Sequence, residues 1–267
     1  MISGSSRVFV VLGDPVSHSL SPAMHNAAFR ALGLSAVYVP LKCSTEDVAP
    51  LVRGIARAGG GGNVTVPHKE IAARSVDVCR ELASTVEACN TFWSEDGQTV
   101  GDNTDVAGVL DALQQLEVSA APWFILGTGG GARAAVVAAA RHGVSVAVRS
   151  RDARRQKKFE EWVTSRGVTL TDSAACGVLI NSTPLGLNAN DPLPIELDGF
   201  PRAEIAFDMV YQPGETRWVR SVRPRVRRSA DGRAMLVAQG AAAFERWFPW
   251  KRAPVEVMRA AVNGALR

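Results

Sequence analysis

Four short stretches of this sequence combine residue types and spacing that could do chemistry. Gly127-Thr128-Gly129-Gly130-Gly131-Ala132 fits Gly-x-Gly-x-x-Ala, between the apolar run Trp123 to Leu126 and an Ala/Val-rich run, Ala132 to His142. In that strand–turn–helix context Gly127 permits a tight turn and Gly129 lets backbone approach a pyrophosphate. Ala132 allows close helix–strand contact, and the free N–H groups of the helix start favour phosphate. An acid at the end of the next strand would bind the adenosine 2′-hydroxyl and favour NAD. Val148, Arg149, Ser150 and Arg151 stand there instead, with no carboxylate before Asp152. Arginine forms charge-assisted bonds to a 2′-phosphate and stacks on adenine, so the expected cofactor is NADP.

The other three stretches lie earlier. His18-Ser19-Leu20-Ser21-Pro22 sits between an expected strand and an expected helix start, where two hydroxyls and free N–H groups suit a carboxylate. Asn63-Val64-Thr65-Val66-Pro67-His68-Lys69 puts Lys69 just past a strand end, and Gly101-Asp102-Asn103-Thr104-Asp105 opens a long helix. Each alone also has a plain structural reading: Ser21 as a cap, Lys69 as a surface cation, Asp102 or Asp105 as a complement to the helix dipole.

The elements that must position these groups follow from pattern. Val8 to Leu12 reads as a buried strand. Ser21 as N-cap with Pro22 behind it opens a helix to about Leu32, stopped by Gly33. Ala36 to Leu41 is a second strand, and Ser44 or Thr45 opens a helix to about Ala58. Gly59 to Gly62 reads as a flexible joint before a strand Val64-Thr65-Val66 that ends at Pro67. Short helices cover about Lys69 to Arg74 and Arg80 to Ala88. Asp96-Gly97 between Thr91 to Trp93 and Gln98 to Val100 is a hairpin signal. Asn103 or Thr104 caps a helix to about Leu116. Val144 to Val148, Val178 to Asn181 and Ile205 to Met209 are further buried strands, and helices cover Ala234 to Phe248 and Val255 to Leu266. The alternation of strands and helices implies an α/β fold with mainly parallel sheets.

Composition bounds the rest. With 267 residues, 46% apolar and 21% charged, the chain is an ordinary globular one with room for two domains. No apolar run approaches the roughly 20 residues that span a bilayer. The polar start lacks the features of a secretory signal, so the expected compartment is the cytoplasm. Cys43, Cys79, Cys89 and Cys176 form no Cys-x-x-Cys pair, and neither a disulfide framework nor a metal site is expected. The net charge of +4 is too small to indicate nucleic acid. Basic residues concentrate in Arg149 to Lys158 and in Arg217 to Arg233, where Asp231 is the sole acid. The later stretch reads as a solvated, arginine-rich face.

The ordered set of motifs resembles the shikimate dehydrogenase family over nearly the whole chain. It begins with Gly13-Asp14-Pro15, His18 to Pro22 and His25-Asn26, and continues through Asn63 to Lys69, Cys89-Asn90-Thr91 and Gly101 to Asp105. The Gly127 turn, Ile180 to Gly186, Asp208-Met209-Val210-Tyr211, Gly232 and Gln239-Gly240-Ala241 follow. The resemblance implies reversible NADPH-dependent reduction of 3-dehydroshikimate to shikimate, in aromatic amino-acid (chorismate) biosynthesis. It matches Lys69 and Asp105 to a catalytic pair, with Lys69 the general acid in reduction and the base in oxidation. Ser19 and Ser21 match carboxylate-binding serines, while Thr65, Asn90, Tyr211 and Gln239 match positions holding the rest of the substrate. Gly127 to Ala132 match the pyrophosphate loop, Arg149 with Ser150 and Arg151 the 2′-phosphate end, and Met209 and Gly232 the nicotinamide side. His68, Cys89, Val106, Val148 and Pro184 depart from the family's usual residues without removing a catalytic group.

The implied organisation is a substrate-binding domain, residues 1–104, joined by C-terminal helices from 238–267, and a Rossmann-like NADP-binding domain, 105–237, with a cleft between them. A monomer or homodimer acting on small molecules, with no nucleic-acid or membrane partner, is expected. The alternatives are a quinate/shikimate dehydrogenase, a related cyclitol-acid reductase, or a weakly catalytic ligand-sensing relative.

Overall fold

The computed structural model describes residues 2–266. The chain divides into two compact units. One runs through Asp105 and takes up the chain again at Leu236–Ala265; the other is Val106–Met235.

The first unit contains β1 (Arg7–Gly13), α1 (Ser21–Ala31), β2 (Ala36–Lys42), α2 (Val48–Arg57), β3 (Gly61–Val64) and α3 (Lys69–Ser75). β4 (Val78–Cys79), α4 (Glu81–Val86), β5 (Thr91–Glu95) and β6 (Gln98–Asp102) complete its sheet. The strand order is β2-β1-β3-β5-β6-β4. β1 pairs in parallel with β2 and β3, and β4 with β6, whereas β5 runs antiparallel to both neighbours. The antiparallel step follows from the tight turn at Asp96 (φ 51°) and Gly97 (φ 78°), which returns the chain beside itself. The sheet is therefore mixed: β2-β1-β3 at one end and β6-β4 at the other pair in parallel, and β5 runs antiparallel between them.

From Phe9 onward β1 is buried on both faces, which explains its unbroken apolar run. One face meets Val48, Val52 and Ala56 of α2. On the other, Phe9 lies 4.9 Å from Trp247 and 5.4 Å from Phe29, ring centre to ring centre. Trp247 ends α9 (Arg233–Trp247), and α10 (Val255–Ala265) packs on α1, so the C-terminal helices complete this core.

Three local expectations change. Gly61 and Gly62 are buried residues of β3 and no joint. A methyl group on Gly62 would collide with the Val10 carbonyl oxygen, so glycine is needed there for close strand approach. Ser21 is the first helical residue of α1; Leu20 holds the N-cap position and makes no side-chain cap bond. α2 starts at Val48, because Ser44 and Asp47 bond each other in a preceding turn (Ser44 Oγ to Asp47 Oδ2, 2.8 Å).

The second unit contains most of α5 (Asp105–Gln115), then β7 (Trp123–Leu126), α6 (Gly130–His142), β8 (Val146–Arg149) and α7 (Ala153–Ser165). β9 (Val178–Asn181), β10 (Ile205–Asp208), α8 (Arg217–Val222) and β11 (Arg228–Ala230) follow. All pairings are parallel, in the order β11-β10-β9-β7-β8. The chain moves from β7 outward to β8 and then crosses to β9 on the other side. The strand order thus reverses between β7 and β9, and open α/β sheets bind ligands at the strand ends beside such a reversal.

The arginine-rich stretch finds carboxylates outside itself, one just before it and two from distant sequence. Arg223 pairs with Glu215, Arg225 with Asp198 at 3.1 Å, and Arg228 with Glu117 at 2.6 Å. No helix is long and apolar enough to cross a membrane among the described residues, and none of their acidic, His and Cys clusters could hold a metal ion.

Candidate active site

In the first unit the expected site residues follow the ends of adjacent strands. Leu12 of β1 lies beside Val64 of β3, and Thr65 N–H donates to the Leu12 carbonyl at 2.8 Å. The chain beyond β1 carries Ser19 and Ser21. Ser21 is buried, Ser19 is half-buried, and Ser19 Oγ accepts the Ser21 N–H at 3.3 Å. α1 has no acid in its first turn, so its N-terminal dipole is not offset from within.

Beyond β3 the chain turns through Pro67, and Lys69 begins α3. Cys89 N–H donates to the Lys69 carbonyl at 2.9 Å, which ties the start of this helix to the segment before β5. His68, buried at the N-cap, holds the Cys43 carbonyl through Nε2 at 3.0 Å. This contact anchors the residue before Lys69 to the end of β2.

Asp105 begins α5, and its N–H donates to Asn103 Oδ1 at 3.0 Å. Lys69 Nζ donates to Asp105 Oδ2 at 2.6 Å, and Asn90 Nδ2 donates to Asp105 Oδ1 at 2.8 Å. The lysine side chain is 16% exposed and the aspartate 5%, so the pair is largely shielded from water. Asn90 Nδ2 also faces Thr104 Oγ1 at 3.0 Å and Gln239 Oε1 at 3.4 Å, and Asn90 Oδ1 accepts the Thr104 N–H at 2.7 Å. Lys69, Asp105, Asn90 and Gln239 are thereby brought into one polar cluster from α3, α5, the residue before β5, and α9.

Sequence reasoning missed the layer beneath. Tyr38 Oη donates to Asn63 Oδ1 at 2.7 Å, and Asn63 Nδ2 donates to the Asn90 carbonyl at 3.0 Å. A tyrosine inside an apolar strand is the one available signal, since a buried hydroxyl needs a partner. His25 stacks on Tyr38 at 4.6 Å. Burial drives its pKa down to about 3, which keeps the ring neutral. Asp102 was expected at most to complement a helix; it is buried and accepts Arg246 Nε at 2.9 Å.

In the second unit the Gly127 turn follows β7, at the strand reversal. Gly127 has φ +115°, and a Cβ there would stand 2.6 Å from Ser182 Oγ in the loop after β9. Nothing lies within 4 Å of where a Cβ on Gly129 would stand, so this edge is open to a ligand. α6 starts at Gly130 without a side-chain cap, leaving first-turn N–H groups for an anion. Thr128, Gly130 and Gly131 are half-buried, and Ala132 is fully buried. A Cβ on Gly131 would meet Met209 Sδ at 3.2 Å. Gly232 abuts the Met209 carbonyl so closely that no side chain fits. These features fit a dinucleotide pyrophosphate.

Arg149 is exposed at the end of β8, its guanidinium carbon 5.0 Å from the Phe124 ring centre. Ser150 N–H donates to Gln156 Oε1 at 3.1 Å, and Arg151 is exposed in the turn before α7. Asp152 Oδ1 caps α7, accepting the N–H groups of Arg154 at 2.8 Å and Arg155 at 3.1 Å. The first acid after β8 is thus engaged as a helix cap, and the strand end presents arginine. Tyr211 lies in this unit, half-buried in the segment that follows β10.

Comparison with known proteins finds relatives over nearly the whole chain. A family model described as the shikimate dehydrogenase substrate binding domain matches residues 11–92, and one described as the shikimate 5′-dehydrogenase C-terminal domain matches residues 232–262. The NADP(+) shikimate dehydrogenase of Microcystis aeruginosa is 38% identical, covering 98% of this chain and 98% of its own. That of Methanocella arvoryzae is 36% identical, covering 97% and 99%. Among solved structures, a Thermus thermophilus shikimate 5-dehydrogenase in complex with NADP(H) and shikimate superposes with TM-score 0.87 at 32% identity, covering 97% of this chain and 99% of that one. A shikimate dehydrogenase in complex with NADP+ gives TM-score 0.90 at 30% identity, covering 100% and 98%. With such identity sustained from end to end, and the same two-domain α/β fold, this chain belongs to the shikimate dehydrogenase family.

Proposed function

We propose that this chain is an NADP-dependent shikimate dehydrogenase, an oxidoreductase acting on a CH–OH group that interconverts 3-dehydroshikimate and shikimate. The observation that carries the reading is the Lys69–Asp105 pair, 2.6 Å apart and held from the far side by Asn90. The first unit is the substrate-binding domain and the second the NADP-binding domain.

When bound, NADPH supplies the hydride. As the substrate carbonyl is reduced, negative charge grows on its oxygen, and Lys69 Nζ donates a proton there. In the oxidative direction Lys69 accepts that proton back. Asp105 orients the ammonium through Oδ2, while Asn90 fixes the carboxylate rotation through Oδ1. Asn90, Gln239 and Thr65 hold the substrate hydroxyl groups. Ser19 and Ser21 bind its carboxylate at the start of α1, with the helix dipole in support. In the second unit the turn from Gly127 to Ala132 takes the pyrophosphate. Arg149, aided by Ser150 and Arg151, takes the 2′-phosphate, since Asp152 is committed to capping α7. Met209 and Gly232 line the nicotinamide side. The reading extends to a cytoplasmic enzyme in aromatic amino-acid biosynthesis that works as a monomer or homodimer.

The test is a matrix of steady-state rates: shikimate and quinate, each with NADP+ and NAD+. Shikimate with NADP+ is expected to have the highest kcat/KM. Turnover below roughly 0.01 per second for every combination, against about 1–1,000 per second for typical enzymes, would sink the reading.

A further inference from the structure

Asp208 is fully buried at the C-terminal end of β10 and pairs with no cation among the described residues. Its carboxylate is satisfied by neutral donors alone. Oδ1 accepts from Asn181 Nδ2 at 2.8 Å and from Val210 N–H at 3.1 Å, and Oδ2 accepts from Thr216 Oγ1 at 2.8 Å. Burial pushes its pKa up to about 6. A buried carboxylate without a counter-ion is costly, so its presence asks what the geometry gains.

Its partners hold two loops together. Asn181 lies opposite Asp208 in the adjacent strand β9. The same Asn181 side chain shapes the loop after β9: Oδ1 accepts Thr183 Oγ1 at 2.7 Å, and Nδ2 donates to the Leu185 carbonyl at 3.0 Å. Val210 and Thr216 lie in the loop after β10, and Gln212 of that loop donates to the Leu187 carbonyl at 3.0 Å. Between these anchor points stands Met209, whose N–H donates to the Asn181 carbonyl at 2.9 Å. Its sulfur faces Gly131 at the start of α6, and its carbonyl abuts Gly232. Asp208 therefore sits directly behind the residue that separates the Gly127 turn from Gly232.

We propose that Asp208 is a positioning residue of the dinucleotide site: it locks the loops after β9 and β10 to each other and so fixes Met209 against Gly131 and Gly232. The proposal rests on the reading of the second unit as the NADP site.

The test uses the full chain, with NADP+ affinity measured by titration calorimetry alongside steady-state kinetics. Asp208→Ala is expected to raise the NADP+ Kd and KM about tenfold or more, in line with loss of one or more buried hydrogen bonds. Its kcat at saturating NADP+ and its KM for shikimate are expected to stay within about threefold of wild type. Thr216→Val raises the NADP+ Kd about threefold or more, and Thr216→Ser, which keeps the hydroxyl, returns it to within about twofold. A purely structural role would lower melting temperature without this split between KM and kcat. A folded Asp208→Ala that binds NADP+ within twofold of wild type overturns the proposal. So does wild-type binding by Thr216→Val, which decides the matter if Asp208→Ala fails to fold. A wild-type chain that binds no NADP+ overturns the NADP reading of the unit as well.

Discussion

Lys69 donates to one oxygen of Asp105 at 2.6 Å while Asn90 donates to the other at 2.8 Å. The carboxylate is thus held at both oxygens, and the ammonium is aimed by a group that cannot rotate away. Lys69→Ala removes the proposed proton donor and leaves the second unit untouched. Its kcat is expected to fall about 100- to 10,000-fold, the usual worth of general acid–base help, with the NADP+ Kd within about twofold of wild type. Single-turnover rates and NADP+ titration check both halves, and near-normal turnover would remove Lys69 from its role.

Arg149 is the strand-end cation where an NAD enzyme would carry an acid. Charge-assisted bonds to phosphate are worth about 1.5–3 kcal/mol, or roughly 10- to 150-fold. Arg149→Ala is expected to raise the KM for NADP+ by about that factor and to change the KM for NAD+ less than threefold. Equal losses for both cofactors would assign Arg149 to packing over Phe124 instead, where its guanidinium carbon lies 5.0 Å from the ring centre.

Two glycines that look alike in sequence should respond in opposite ways. Gly62 faces the Val10 carbonyl oxygen with no room for a methyl group, and backbone cannot move as a side chain can. Gly62→Ala is expected to destabilise by about 3 kcal/mol or more. Gly54, inside α2, has nothing within 4 Å of where a Cβ would stand. Gly54→Ala is expected to stabilise by about 0.5–1 kcal/mol, through reduced freedom of the unfolded chain. Urea denaturation of both variants distinguishes the two signs.

Asp208 links stability to pH. Its folded pKa of about 6 exceeds the ordinary value of 3.8. Below the lower value the folded and unfolded forms are both protonated. Between the two values the folded chain keeps a proton that the unfolded chain has released, so stability falls as pH rises. Above about 6 the full penalty is in place, about 3 kcal/mol at 1.36 kcal/mol per pK unit. Asp208→Asn carries no such charge. The difference in unfolding free energy between Asp208→Asn and wild type should therefore shift in the variant's favour between pH 4 and 7. A pH-independent difference would show that Asp208 does not titrate in that window.

Much of the frame was legible in the chain. The apolar runs of β1, β7, β9 and β10 mark strands because buried parallel strands need no polar face. The Gly127 turn was readable from its glycines because its chemistry is local. Other features misled for the opposite reason. Gly59 to Gly62 look like a hinge, yet Gly61 and Gly62 are interior strand residues whose need for glycine comes from β1. The Arg217 to Arg233 stretch looks unopposed, yet Glu117, Asp198 and Glu215 supply its partners from outside it. Tyr38 and Asn63 had no visible connection to Asn90, because they lie on different strands that only the sheet brings together.

The sequence by itself determined most of the strand-and-helix order, though not β4, α7, α8 or β11, together with the glycine-rich turn, the arginine rather than an acid at the next strand end, and which polar residues follow strand ends. Those depend on residue type, period and spacing, which the chain carries locally. Only the tertiary structure decided that Lys69, Asn90, Asp105 and Gln239 meet in one cluster. It also decided that Asp208 is buried behind Met209. Those outcomes depend on strand order and on helices returning from far along the chain, and side-chain hydrogen bonds are selected only once packing has removed water from around them.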